Sequence, residues 1–243
     1  MLTVCLLGPV QAFSARGPVD PGPARQRCVL AALAVEMGRP VPIPALIDRV
    51  WDGRPPQRAR HTLQVYLSRI RGTLAEADPS VRISRRSGGY ALEIGDGRID
   101  MARVQAELAR VQQRGATPTE QGDALEYALQ LWQGPPLADL QGHWVEQTRQ
   151  HWLQLRLDAL IQWASVRLAA GRIDAVLGEL SQAIIDFPLA EPLWAAKMRA
   201  LAAAHRRAEA LAAYESARRH LADKLGVEPG PELTALHLAI LRG

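Results

Sequence analysis

The seventeen residues Arg60–Glu76, RHTLQVYLSRIRGTLAE, constrain this chain more than any other stretch. On a helix turning about 100° per residue, Leu63, Leu67, Ile70 and Leu74 share one narrow face, with Tyr66 at its edge. Such a stripe has to be buried against neighbouring elements. The opposite face carries His61, Gln64, Val65, Ser68, Arg69 and Gly72, while Arg60 and Arg71 flank the stripe. No acid interrupts this face until Glu76. A surface helix ordinarily mixes both charge signs, so a neutral-to-basic face suits a polyanion. Arg, Gln, His and Ser are side chains that hydrogen-bond base edges and phosphates in a major groove. A solvated, arginine-rich surface helix is the competing reading, and the flanking sequence decides between them.

Asp78-Pro79 ends the helix, Val81–Arg85 alternates as a strand, Ser87-Gly88-Gly89 turns the chain and Tyr90–Ile94 returns. This is a β-hairpin with a basic approach, Arg82, Arg85 and Arg86. Upstream, Thr3–Leu7 reads as a strand closed by Gly8-Pro9, and Val10–Phe13 and Pro18–Asp20 as two further short strands. Residues 24–37 form a mostly buried helix closed by Gly38. Pro40 and Pro42 force an extended link. Pro44–Trp51 is a second helix with Leu46, Ile47 and Val50 inward, followed by a rigid exposed loop, Asp52-Gly53-Arg54-Pro55-Pro56. Three helices and then a hairpin is the order of a winged helix. Its third helix enters the major groove, with the hairpin against the adjacent backbone or minor groove.

Charge divides the chain in the same place. Residues 1–99 hold fourteen arginines and no lysine against eight acids, a net +6, whereas residues 100–243 come to −2. That is the pattern of a nucleic-acid module joined to a near-neutral partner domain. The Gly95-Asp96-Gly97 segment sets the boundary, giving domains at 1–97 and 98–243. A chain of 243 residues with 48% apolar content builds real cores. No apolar run reaches the roughly 20 residues that span a bilayer. The N-terminus lacks a basic leader, so the expectation is a cytoplasmic, nucleoid-associated protein with no membrane partner. In a reducing compartment Cys5 and Cys28 stay thiols.

From Asp100 the sequence reads as helix throughout: Asp100–Gln113, Thr119–Trp132, a Gly134-Pro135-Pro136 break, then a long amphipathic stretch over Trp144–Ala170. A repeat follows at an offset of 34 residues, the tetratricopeptide period. Arg172 corresponds to Arg206 and Leu177 to Leu211, and Ala210, Tyr214 and Ala217 fit small–large–small packing positions. His205 stands where the first unit has Gly171, which makes the second turn atypical. Two units are too few for a stable stack, so the helices at 100–160 complete it and Glu232–Leu241 caps it. An array of this kind offers a face for a partner or a second copy.

Catalytic signatures are missing: no P-loop, no GxGxxG after a strand, no HExxH and no GxSxG. The histidines, His61, His143, His151, His205, His220 and His237, show no metal-ligand spacing. Neither an enzyme nor a cofactor or metal is expected. Trp51, Tyr66, Tyr90 and Phe13 are too few aromatics for a single-strand stacking platform.

Taken together, LLGPV, ARQRCVLAALAVEMGRPVP, LIDRVWDGRPPQRARHTLQVYLSRIRGTL and RRSGGYAL resemble the OmpR/PhoB-type winged helix, the effector domain of two-component regulators. The stretches LQLWQGPPLADL, FPLAEPLW, RRAEALAAYESARRHLADKLGVEPGPEL and LHLAIL are similar to the bacterial transcriptional activation domain that follows it in antibiotic regulatory proteins of the SARP type. The resemblance covers nearly the whole chain. It implies a mainly α fold with small β elements: an N-terminal winged helix, then an all-α tetratricopeptide-like domain. It also implies an activator on promoter-proximal direct repeats of double-stranded DNA, often bound as a side-by-side pair, that contacts RNA polymerase and serves a secondary-metabolite cluster.

Residue by residue, the resemblance implies base contacts from Gln64, Val65 and Arg69. Backbone contacts fall to Trp51, His61, Thr62, Tyr66, Ser68, Arg71, Ser84, Arg86 and Tyr90. The loop Asp52, Gly53, Arg54, Pro55, Pro56, Gln57 and Arg58 is the one that meets polymerase. Helical periodicity independently turns His61, Gln64, Val65, Ser68 and Arg69 outward but puts Tyr66 nearer the core. Ser68 and Gly72 depart from the larger or basic residues usual in relatives. No receiver, forkhead-associated or ATPase segment occurs within these residues, so the expectation is a small member without a phosphorylation or nucleotide switch. Homodimerisation, on DNA or through the helical domain, completes the expected partners. A repressor on the same DNA-binding domain, or a helical adaptor whose basic front half meets an acidic protein, are the alternatives.

Overall fold

The computed structural model describes residues 1–242 apart from Ser87, Asp96 and Arg114. One residue of the expected wing turn, Ser87, and one of the expected boundary, Asp96, therefore lie outside the described residues. Two compact units emerge, residues 1–109 with 130–154, and residues 110–129 with 155–243.

The first unit opens with an antiparallel meander of β1 (Thr3–Cys5), β2 (Gln11–Ser14) and β3 (Gly17–Val19). Val4 pairs with Ala12, and both are buried. Helix α1 (Ala24–Ala34) follows Pro23, and its run from Cys28 to Ala34 is wholly buried. It stops short of the expected residue 37 because Met37 and Gly38 take left-handed backbone angles, φ 50° and 86°. Next come β4 (Val41–Pro42), α2 (Ile43–Trp51), α3 (Ala59–Ala77), β5 (Arg82–Arg86) and β6 (Gly89–Glu93). The three strands form a second antiparallel sheet in the order β4-β6-β5. The extended link at Val41–Pro42 is thus a third strand of the wing, Val41 pairing with Tyr90. Proline is tolerated there because β4 is an edge strand. Leu63, Leu67, Ile70 and Leu74 are buried as the period requires, and α1 packs on α2, α3 and β6.

Later segments finish this unit. At the start of α4 (Asp100–Val111), the Asp100 carboxylate accepts the N–H groups of Leu6, Leu7 and Met101 at 2.7, 2.8 and 2.7 Å. Gln133 and Leu137 donate to the carbonyls of Leu7 and Leu6. Asp139 takes the Val10 N–H at 2.7 Å and the Arg27 guanidinium at 2.5 Å.

In the second unit, α5 (Pro118–Gln130), the rear of α6 (His143–Ala169), α7 (Ile173–Asp186), α8 (Glu191–Ala203), α9 (Arg207–Leu225) and α10 (Pro231–Arg242) follow in chain order. Helix α8 packs against α7, α9 and α10. Ala210, Tyr214 and Ala217 are buried at the small–large–small positions. Arg167 reaches Asp123 and Glu126 at 2.7 and 2.6 Å, across Gly122, where any Cβ would press on its guanidinium. The His205 turn departs from expectation. His205 adopts φ 59° where Gly171 has 73°, and the N–H groups of Arg172 and Arg206 reach back to Arg167 and Leu201 in the same way. Both helices end in one Schellman-type turn, so the histidine accepts the left-handed strain and the repeat geometry survives. Among the described residues, no helix is long and apolar enough to cross a membrane.

Candidate nucleic-acid interface

Helix α3 begins without a side-chain cap and has no acid in its first turn. A helix N-terminus carries partial positive charge, so an anion is the natural complement there. His61, Gln64, Ser68 and Arg69 are exposed, and Val65 is half-buried. The side chains of Gln64 and Arg69 have no protein partner among the described residues, which leaves their donors and acceptors open. Thr62 is half-buried, its hydroxyl donating to the Arg58 carbonyl at 3.2 Å.

Aromatic residues back this face. Trp51 is 6% exposed and stacks on the half-buried Tyr66, with ring centroids 6.2 Å apart and planes at 19°. Tyr66, which the helical period puts nearer the core, is half-buried. Tyr90 is 7% exposed and lies beneath the Arg71 guanidinium, 5.4 Å from the ring centroid. Burial makes Trp51 and Tyr90 supports of the face and not its outermost groups. Arg71 also donates from Nε to the Ile83 carbonyl at 2.9 Å, tying α3 to the wing.

Sequence reasoning missed what Glu93 does in the wing. Its Oε1 accepts the Ser84 hydroxyl at 2.7 Å and the Arg86 guanidinium at 2.5 Å. The Ser84 hydroxyl first, then Arg86, holds its carboxyl below the ordinary glutamate range. Two expected backbone contacts are thus already engaged with a carboxylate. Strand alternation carried the signal, since residues 82, 84 and 86 share a face with Glu93 opposite Arg82.

The loop at 52–58 is exposed throughout. Its first residue is anchored, however: Asp52, at φ 52°, ends α2 and accepts the His143 N–H at 2.8 Å, where α6 begins. Arg49 reinforces the junction, its guanidinium 5.1 Å from the centroid of Trp144 and 2.7 Å from Glu36. Among the described residues no group of His, Cys, Asp or Glu is placed to hold a metal ion.

A buried apolar stripe, an open polar helix face and an adjoining basic hairpin define a winged-helix DNA-binding protein. Residues 21–92 match the family "Transcriptional regulatory protein, C terminal", and residues 99–241 the "Bacterial transcriptional activator domain". EmbR of Mycobacterium tuberculosis is 38% identical over 98% of this chain, AfsR of Streptomyces coelicolor 37% over 98%, and DnrI of Streptomyces peucetius 32% over 99%. This chain spans 62%, 24% and 92% of their lengths, respectively. A solved structure, Mycobacterium tuberculosis EmbR in complex with a low affinity phosphopeptide, superposes with a TM-score of 0.88 at 36% identity, covering 99% of this chain and 65% of that one. The chain belongs to the SARP family of DNA-binding transcriptional regulators, which are not enzymes.

Proposed function

We propose that this chain is a transcriptional activator that reads promoter-proximal direct repeats through α3, as a homodimer, and recruits RNA polymerase through the loop at 52–58. It acts in the cytoplasm on a secondary-metabolite gene cluster. Residues 1–97 read DNA and residues 98–243 serve activation. Gln64, Val65 and Arg69 contact base edges, while His61, Thr62, Ser68 and Arg71 touch phosphates. The observation that carries this reading is the α3 face itself. Gln64 and Arg69 project, without protein partners among the described residues, from a helix whose other side is locked by four buried apolar residues. An arginine in this setting makes a bidentate contact to guanine worth about 1–3 kcal/mol of discrimination.

Footprinting on the DNA upstream of its own and neighbouring operons supplies the operator. Arg69→Ala is then expected to lower operator affinity towards that for mixed-sequence DNA, while affinity for mixed-sequence DNA stays nearly constant. If Arg69→Ala weakens both by the same factor, Arg69 touches phosphate and the base-reading role fails. Activation is read separately, as promoter-dependent transcription in a purified system. Transcription that falls when the protein is added identifies a repressor.

A further inference from the structure

Helix α10 is apolar on every side, yet the protein covers only one of them. Between Glu232 and Arg242 the stretch Leu233–Leu241, LTALHLAIL, carries no acid, lysine or arginine. A helix that is apolar all round is ordinarily buried all round. Helices α7, α8 and α9 each bury at least five residues, whereas α10 buries Leu233 alone. Leu236, His237 and Ile240 are half-buried on the same side, where α10 packs on α8 and α9. Ala235, Leu238 and Ala239 are exposed on the other side, Leu238 to 43%, and Leu241, 44% exposed, flanks them. A stacked helical array that ends in water needs a polar outer face on its last element. This outer face is apolar instead, which makes it a surface for a partner and not a cap.

The charges at its two ends point to a second copy as that partner. Glu232 and Arg242 bracket the apolar stretch, about 15 Å apart along the helix axis. Glu232 accepts Arg199 at 2.7 Å, with its side chain still 74% exposed. Arg242 is exposed and has no partner among the described residues. Two copies of α10 laid antiparallel and centred level with residue 237 bring Glu232 of each copy to Arg242 of the other, and Ala235 of each to Ala239 of the other. Alanines facing one another let the two axes approach closely, and Leu238 of each copy fills the space beside them. A two-fold contact requires one patch that complements itself. An acid at one end, a base at the other and small residues placed evenly between them meet that requirement.

We propose that α10 pairs two copies of this chain antiparallel about a two-fold axis, through Ala235, Leu238 and Ala239, with Glu232 and Arg242 fixing the register. Copies side by side on direct repeats are related by translation, so this contact is a different one and goes beyond the reading above. It forms without DNA. One short helix from each copy buries less than the roughly 800 Å² per partner of a standard stable interface, so the dimer is weak, with a dissociation constant on the order of 10 μM.

The test is sedimentation of the full chain, without DNA, over a concentration series from about 1 to about 100 μM. The unmodified chain is expected to pass from monomer to dimer over that series. Leu238→Glu sets a carboxylate from each copy near the axis and is expected to weaken the dimer about tenfold or more, while helix content and the urea midpoint hold because the residue faces water. Arg242→Glu opposes like charges at both ends of the contact and is expected to weaken it about threefold. Combining Glu232→Arg with Arg242→Glu restores attraction and recovers the dimer, a rescue that a merely structural role for either residue would not give. A chain that stays monomeric throughout, or a Leu238→Glu dimer as tight as the unmodified one, overturns the contact, and something other than a second copy covers α10. A charge swap that stays as weak as Arg242→Glu overturns the antiparallel register and the proposal with it. None of these outcomes touches the DNA-binding reading, which the operator footprint tests on its own.

Discussion

Single residues in the first unit act through positions that composition does not reveal. Gly89 keeps an ordinary backbone, yet a Cβ there would collide with the Val41 carbonyl and stand 3.0 Å from the Pro42 nitrogen. Backbone atoms cannot swing aside, so Gly89→Ala is expected to pry β6 from β4 and to destabilise by about 1–3 kcal/mol, read as a lower urea midpoint. No change in the midpoint would mean that the pairing of Val41 is dispensable. In sequence Gly89 reads as half of a turn, because the approach of a distant two-residue strand leaves no local trace. Asp78 is a second case. The Ser80 hydroxyl and N–H and the Leu2 N–H hold its carboxyl well below the usual carboxylate range. A folded-state value below the unfolded one gives stability that is present above the unfolded pKa, about 4, and is lost as pH falls through the folded value. Acid unfolding of Asp78→Asn should therefore show a shallower fall below about pH 4 than the unmodified chain. Identical profiles would assign that acid sensitivity to other carboxylates.

At the scale of elements, what the sequence showed was whatever has a period. The stripe on α3, the alternation of β5 and the 34-residue spacing of α7 and α9 are local regularities, and each lies where its spacing put it. What stayed hidden was the contact between elements far apart in sequence. The Asp100 carboxylate, 93 residues from Leu7, opens α4 and closes the strand-end turn of β1 at once. Its length of separation, and its ordinary appearance as the first acid of a helix, gave no warning. Burial raises this carboxyl, against the three N–H groups that favour its charge. Those N–H groups have nowhere else to turn. Asp100→Ala is expected to cost about 1–3 kcal/mol for each N–H left bare, with Asp100→Asn recovering part through its remaining oxygen. Equal losses for the two variants would show that packing around α4, and not the hydrogen bonds, carries the effect.

Across the molecule, one compact unit joins residues far apart in the chain. Residues 130–154, well inside the match to the activator domain, fold with the winged helix through Asp139, Leu137 and the first turns of α6. Asp52 belongs to this arrangement. Its carboxylate accepts the His143 N–H and sets a negative charge at the positive end of α6. The loop assigned to polymerase therefore has an anchored first residue and an exposed remainder, and the two parts separate by mutation. Replacing Arg54, Gln57 and Arg58 together by alanine removes side chains that have no partner in the protein among the described residues, so stability and operator affinity should hold. Purified transcription from the operator promoter should fall to near its activator-free level. Asp52→Ala should do the reverse, lowering the urea midpoint of the first unit by removing a cap worth about 1 kcal/mol. If the triple variant loses operator affinity along with transcription, Arg54 or Arg58 belongs to the DNA surface and the loop has no separate activating role. If it keeps both, polymerase meets another part of the chain, and residues 98–243 become the place to look.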